Sequence, residues 1–89
     1  MTENSAASVN NIKLEIINIW EDLLGDKAPS TISSSDDFFE IGGTSLGMIT
    51  VVTKLSTKYG AEIPTSIVAE GATVESLASA THRVISAAA

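Results

Sequence analysis

Eighty-nine residues make one domain, because a chain this short can fill a single apolar core and no second one. A formal net charge of -6 leaves no basic face for nucleic acid or anionic lipid, and the absence of cysteine removes disulfides, thiolate metal sites and cysteine nucleophiles. The start, MTENSAAS, lacks the basic and apolar stretches of a secretion signal, and no apolar run approaches the ~20 residues of a membrane span. A cytoplasmic protein with no nucleic-acid or membrane partner is therefore expected.

Residues 1–8 read as a flexible tail and 87–89 as a flexible end, around a domain over 9–86. The first predicted helix runs from Val9 to Leu24, with Ser8 or Asn10 as N-cap. Ile12, Ile16, Ile19, Trp20 and Leu23 recur at helical spacing, Asn11, Lys13, Glu15, Asn18, Glu21 and Asp22 take the other face, and Gly25 follows as a stop. A long connector then spans Asp26 to Thr44, polar through its Ser/Thr run and Asp36-Asp37. Ile32 and the group Phe38, Phe39 and Ile41 are expected to dock it onto the helices.

A second helix is predicted from Ser45 to Tyr59, closed by Gly60. At 100° per residue, Met48, Val52, Leu55 and Tyr59, with Val51 beside them, form a core face. Leu46 and Ile49 fall roughly opposite, with Thr53 and Thr57 continuing their stripe. Periodicity alone leaves two readings of that pair, ordinary exposed aliphatics or an apolar docking patch. Pro64 opens a short segment with Thr65 or Ser66 as cap and Ile67, Val68 and Ala69 as apolar residues, ending at Gly71. Thr73 caps a last helix carrying Val74, Leu77, Ala78, Thr81 and Ile85 at helical spacing. No segment alternates with period two, so the fold class is all-α: a small four-helix bundle of three longer helices and one short one, with a long first loop.

Gly43-Thr44-Ser45-Leu46-Gly47 satisfies the G-x-S-x-G pattern of a hydrolase nucleophile, and Glu62, Glu70 or Glu75 with His82 would complete a triad in chain order. That pattern requires a strand before the serine within a large α/β sheet, and Ser34 to Gly43 is no such strand. His82, near the end of the last helix, is better explained by the helix dipole. A phosphate-binding loop is weaker still, since no Gly-Lys-Ser/Thr follows the glycines.

The run Asp37-Phe38-Phe39-Glu40-Ile41-Gly42-Gly43-Thr44-Ser45-Leu46 resembles the core motif of phosphopantetheine-bearing carrier proteins. More narrowly, it resembles the peptidyl carrier (thiolation) domains of nonribosomal peptide synthetases. Ile19 to Gly25, Tyr59 to Pro64 and Thr73 to Ala78 are similar to three further family segments in the same order, so the likeness covers Val9 to Ile85. It implies a non-catalytic carrier whose Ser45 receives 4'-phosphopantetheine from coenzyme A through a phosphopantetheinyl transferase. The arm's thiol then holds aminoacyl, peptidyl or acyl groups as thioesters, supplying the sulfur this chain lacks.

Gly42, Gly43 and Thr44 are the expected cofactor-side neighbours of Ser45, the two glycines giving the backbone freedom and leaving a partner room to reach the serine. A serine at a helix start would set its phosphate beside open backbone N–H groups and the positive end of the dipole. The likeness also favours docking for Leu46, Ile49 and Thr53, with Met48 in the core, and no metal site. Expected partners are the transferase and the adenylation, condensation or tailoring enzymes of a synthetase, with the carrier itself a monomer. Thr44 departs from the Asp or His common before the serine, and Lys54 and Lys58 are the only charges of the second helix. The missing acidic face favours a peptidyl carrier over its alternative, an acyl carrier of a polyketide or lipid-starter pathway.

Overall fold

The computed structural model describes residues 8–88. The expected N-terminal tail therefore lies, apart from Ser8, outside the described residues. Three α-helices and one short 3₁₀ helix form the bundle, with a single 3₁₀ turn, Gly25–Lys27, after the first helix.

Helix α1, Val9–Leu24, begins where Ser8 supplies a cap: its Oγ accepts the Asn11 N–H at 3.2 Å, which places the alternative cap, Asn10, inside the first turn. Ile12, Ile16, Ile19 and Trp20 are buried as their spacing requires. At the helix end the expectation is corrected: Leu24 is 7% exposed and Leu23 37%. Both lie on the apolar stripe, but the bundle covers only the Leu24 side. Leu23 instead lines, with Leu24, Lys27 and Phe38, a cavity of about 160 Å³.

The connector is ordered by its own aspartates. Asp36 Oδ2 accepts the Ser33 N–H at 2.8 Å, and Asp37 Oδ1 accepts those of Phe39 (2.9 Å) and Glu40 (3.3 Å). The Phe38 N–H donates to the Ala72 carbonyl at 3.0 Å and the Glu75 N–H to the Ser34 carbonyl at 2.9 Å, so the loop is sewn to the start of the last helix. Ile32 and Phe38 dock in the core and Ile41 packs against it. Phe39 does not dock with them. It is 41% exposed, and its ring meets that of Phe38 edge-on at 5.9 Å.

Helix α2, Ser45–Tyr59, buries Met48, Val51, Val52 and Leu55 and ends at Gly60, which adopts the left-handed conformation at φ 62°. The short helix, Thr65–Glu70, is 3₁₀ and follows an extended Pro64 with no side-chain cap. Thr65 and Ser66, the expected caps, are its first two residues. At three residues per turn only one side meets the core, so Ile67 is buried, Val68 half-buried and Ala69, expected among the apolar contacts, exposed. Helix α3, Val74–Ala88, is capped by Thr73, whose Oγ1 accepts the Ser76 N–H at 3.0 Å. Val74, Leu77, Ala78 and Thr81 are buried, and the helix continues past residue 86 through alanines, the strongest helix formers. Helix α1 packs most extensively on α3 and also on α2. No helix among the described residues is long and apolar enough to cross a membrane.

Candidate functional site

The start of α2 is assembled by the turn that precedes it. Asp37 gathers the N–H groups of Phe39 and Glu40, the Ile41 N–H donates to the Asp37 carbonyl at 3.1 Å, and the Gly43 N–H donates to the Phe38 carbonyl at 2.8 Å. Gly42 sits at φ 110°, a conformation that side chains other than glycine rarely adopt. Phe38 points inward, 1% exposed, with its ring centroid 5.0 Å from that of Trp20.

Gly43 is needed for a different reason from the one expected. Its φ is not positive, and a β-carbon there would lie 2.3 Å from the Phe38 ring. The glycine thus admits a core aromatic beneath the turn, and the room it provides faces inward rather than toward a partner.

Thr44, extended at φ -114° and ψ 165°, is the N-cap of α2: its Oγ1 accepts the Gly47 N–H at 3.0 Å, and its carbonyl accepts the Met48 N–H at 2.9 Å. Threonine is one of the preferred capping types, which gives the residue that departs from the family pattern a plain local role. Ser45 is therefore the first residue of the helix rather than its cap. It is exposed, and among the described residues its hydroxyl has no hydrogen-bond partner. The backbone N–H groups of Ser45 and Leu46 also remain open at the positive end of the helix dipole.

Ser45 lines an apolar groove of about 200 Å³ together with Phe39, Met48, Ile49, Thr65 and Val68. Leu46 and Ile49 stand beside it, 74% and 50% exposed. The Thr53 hydroxyl donates to the Ile49 carbonyl one turn earlier at 2.9 Å, which ties that hydroxyl to the helix itself. Sequence periodicity brought Leu46, Ile49 and Thr53 to one face. It missed Phe39, Thr65 and Val68, which reach the groove from two other segments.

The triad permitted by the G-x-S-x-G string is not assembled among the described residues. Ser45 and His82 share no hydrogen bond, and a turn and a cap, not a strand, lead into the serine. Glu70 is engaged by Arg83, whose hydrogen bonds hold its carboxyl below the ordinary value. His82 also lies six residues before the last helical residue, Ala88, outside the final turn where a dipole effect operates. No group of His, Asp or Glu suited to holding a metal occurs among the described residues.

A compact helical bundle presenting an unpartnered serine at a helix start defines a carrier-type fold. Comparison with known proteins agrees. The family model described as "Phosphopantetheine attachment site" matches residues 15–81, and the chain belongs to that family, whose prosthetic group is 4'-phosphopantetheine. The chain is 41% identical over 63 residues to syringomycin synthase SyrB1 of Pseudomonas syringae pv. syringae, which covers 71% of this chain and 10% of that protein. It is 38% identical over 73 residues to tyrocidine synthase 3 of Brevibacillus parabrevis, covering 82% of this chain and 1% of that protein. With gramicidin S synthase 2 of Brevibacillus brevis it shares 32% identity over 77 residues, 86% of this chain and 2% of that one. The chain thus spans a tenth or less of the length of these relatives.

A solved complex of the phosphopantetheine transferase Sfp with coenzyme A and a peptidyl carrier protein contains a chain of the same fold. The TM-score is 0.70 at 27% identity, covering 92% of this chain and 95% of that one.

The site fits the family's group. An exposed hydroxyl without a partner is free to be esterified, two N–H groups at the same helix start are open, and an apolar groove begins at the same residue.

Proposed function

We propose that this protein is a carrier of nonribosomal peptide synthesis, holding aminoacyl or peptidyl groups as thioesters on a 4'-phosphopantetheine arm esterified to Ser45. The observation that carries the proposal is the exposed, unpartnered Ser45 hydroxyl at the first position of α2. In the modifying reaction Ser45 Oγ bonds to the phosphorus next to the pantetheine of coenzyme A. The pyrophosphate bond breaks, the nucleotide leaves, and the hydroxyl proton passes to the transferase. Among the described residues no base is hydrogen-bonded to Ser45 to activate it, so the chain acts as the substrate of this step and not as a catalyst.

The remaining residues present the serine. Thr44 ends the turn and starts the helix, whose first N–H groups, those of Ser45 and Leu46, are left open to a phosphate on Ser45, while Gly42 and Gly43 shape the turn on the cofactor side. The arm supplies a thiol, the chemistry a chain without cysteine cannot offer. Leu46, Ile49 and the methyl face of Thr53 form the docking patch for the transferase and for adenylation, condensation and tailoring partners, with the carrier acting as a monomer. A small apolar patch suits partners that must bind and leave quickly. A relative named nonribosomal peptide synthetase tcpP, of Claviceps purpurea, and an α2 whose only charges are Lys54 and Lys58, favour this reading over a polyketide or lipid carrier.

Incubation with coenzyme A and a broad-specificity phosphopantetheinyl transferase, followed by intact-mass measurement, tests it. The expected result is addition of one phosphopantetheine to the wild type and none to Ser45→Ala. Absence of addition, or addition that survives the substitution, overturns the assignment.

A further inference from the structure

The wall of the Ser45 groove opposite α2 belongs to the 3₁₀ helix, which contributes Thr65 and Val68. This element is short and packs on α3. Six residues exceed the usual length of a 3₁₀ helix, whose hydrogen bonds are poorly aligned, and only Ile67 among them is buried. Its entry is anchored: Ile63 is buried, and its N–H donates to Ser56 Oγ of α2 at 3.1 Å. Its exit runs into Gly71 at φ 141°, which lies close against the Ser76 side chain of α3, and then into buried Ala72, whose carbonyl accepts the Phe38 N–H at 3.0 Å.

Beyond that backbone anchor, the side-chain tether of the exit is an ion pair. Arg83 of α3 donates through both guanidinium nitrogens to the Glu70 carboxylate, Nη1 to Oε1 at 3.1 Å and Nη2 to Oε2 at 2.5 Å. This forked geometry fixes direction as well as distance, unlike a single lysine contact. Among the described residues no other side-chain hydrogen bond joins the 3₁₀ helix to α3. Both partners are well exposed, so the pair adds little to global stability. Its effect is local, because Glu70 lies two residues from the groove-lining Val68.

We propose that Glu70 and Arg83 are positioning residues: their ion pair holds the 3₁₀ helix against α3 and thereby sets the groove wall that a docking enzyme meets beside Ser45. The proposal rests on the carrier reading above. Loss of the pair frays the helix from its exit and moves Val68, while Ser45 stays in place, since its position depends on Phe38, Gly43 and the Thr44 cap. Docking and presentation of the hydroxyl therefore respond separately. KM for the carrier rises and kcat does not change.

The test uses the full chain as wild type, Arg83→Gln, Glu70→Gln and the exchanged double variant Glu70→Arg/Arg83→Glu. Amide hydrogen exchange of the 3₁₀ helix is followed by NMR in the unmodified protein, and loading by coenzyme A and a phosphopantetheinyl transferase is followed at steady state. Both single variants should show about two- to five-fold faster exchange over Ile67 to Gly71 and a KM raised by a similar factor, with kcat and Tm essentially unchanged. The double variant should return both quantities toward wild type. At ~1 M salt, where screening acts within about 3 Å, the differences should shrink. Unchanged exchange, a fall in kcat without a rise in KM, or failure of the exchanged pair to restore either quantity overturns the proposal. If the wild type itself is not modified, the carrier reading fails, and hydrogen exchange alone then decides whether the pair holds the helix.

Discussion

The buried faces of α1 and α3 and the rim where α2 meets the 3₁₀ helix use similar apolar residues in opposite ways. Ile12, Ile16, Val74, Leu77 and Ala78 are sealed from solvent, whereas Phe39, Leu46 and Ile49 keep 41%, 74% and 50% of their surface exposed. Full burial of an aliphatic or aromatic side chain of this size is worth about 1.5–3 kcal/mol, so the rim forgoes several kcal/mol that a small domain would otherwise use for folding. The difference separates the two tasks of the chain. Helix-on-helix packing secures the bundle, and Ser45 is left on a surface with little packing of its own, as the proposed docking of partners that bind and leave would require.

Three variants probe that separation. Leu77→Ala, in the sealed seam, should cost about 2–5 kcal/mol in chemical denaturation, while the fraction that remains folded is loaded at the wild-type rate. A loss of loading in folded protein would break the division, since Leu77 lies outside the site. Gly43→Ala joins the two regions, because its β-carbon would press on a core aromatic from beneath the site turn. Overpacking of this kind should cost about 1–3 kcal/mol and slow loading as well, read by denaturation and by mass spectrometry on the same sample. An alanine tolerated without either effect would show that Phe38 can move aside freely. Leu46→Ala with Ile49→Ala should change stability by no more than about 0.5 kcal/mol and yet raise the KM of the transferase. A stability loss comparable to that of Leu77→Ala would assign these residues to the core instead.

Local pattern was a good guide wherever one helix could be considered alone. The starts of α1 and α3 follow from Ser8 and Thr73, the ends of α1 and α2 from Gly25 and Gly60, and the core residues of α2 from their spacing. The pattern failed where two neighbours compete for one place. Leu23 and Leu24 share the apolar stripe of α1, and Phe38 and Phe39 are adjacent aromatics of one turn. In each pair the choice depends on which side another segment covers, and helical spacing carries no information about that. Thr44 shows the same limit within the site. Its type is common among N-caps, but with a serine next to it the cap could be placed only once the bond to the Gly47 N–H was seen.

By itself the sequence determined an all-helical carrier with Ser45 at the head of its second long helix, because helix period, capping residues and the Gly-Gly turn act over a few neighbouring positions. Tertiary structure alone decided why Gly43 is glycine, that Phe39, Thr65 and Val68 meet Ser45 in one groove, and that Arg83 reaches Glu70. The physical reason is distance along the chain. The groove and the ion pair join residues on separate segments, and Gly43 is constrained by a Phe38 ring that packs on Trp20 of α1, so the packing of the segments rather than any local rule decides all three.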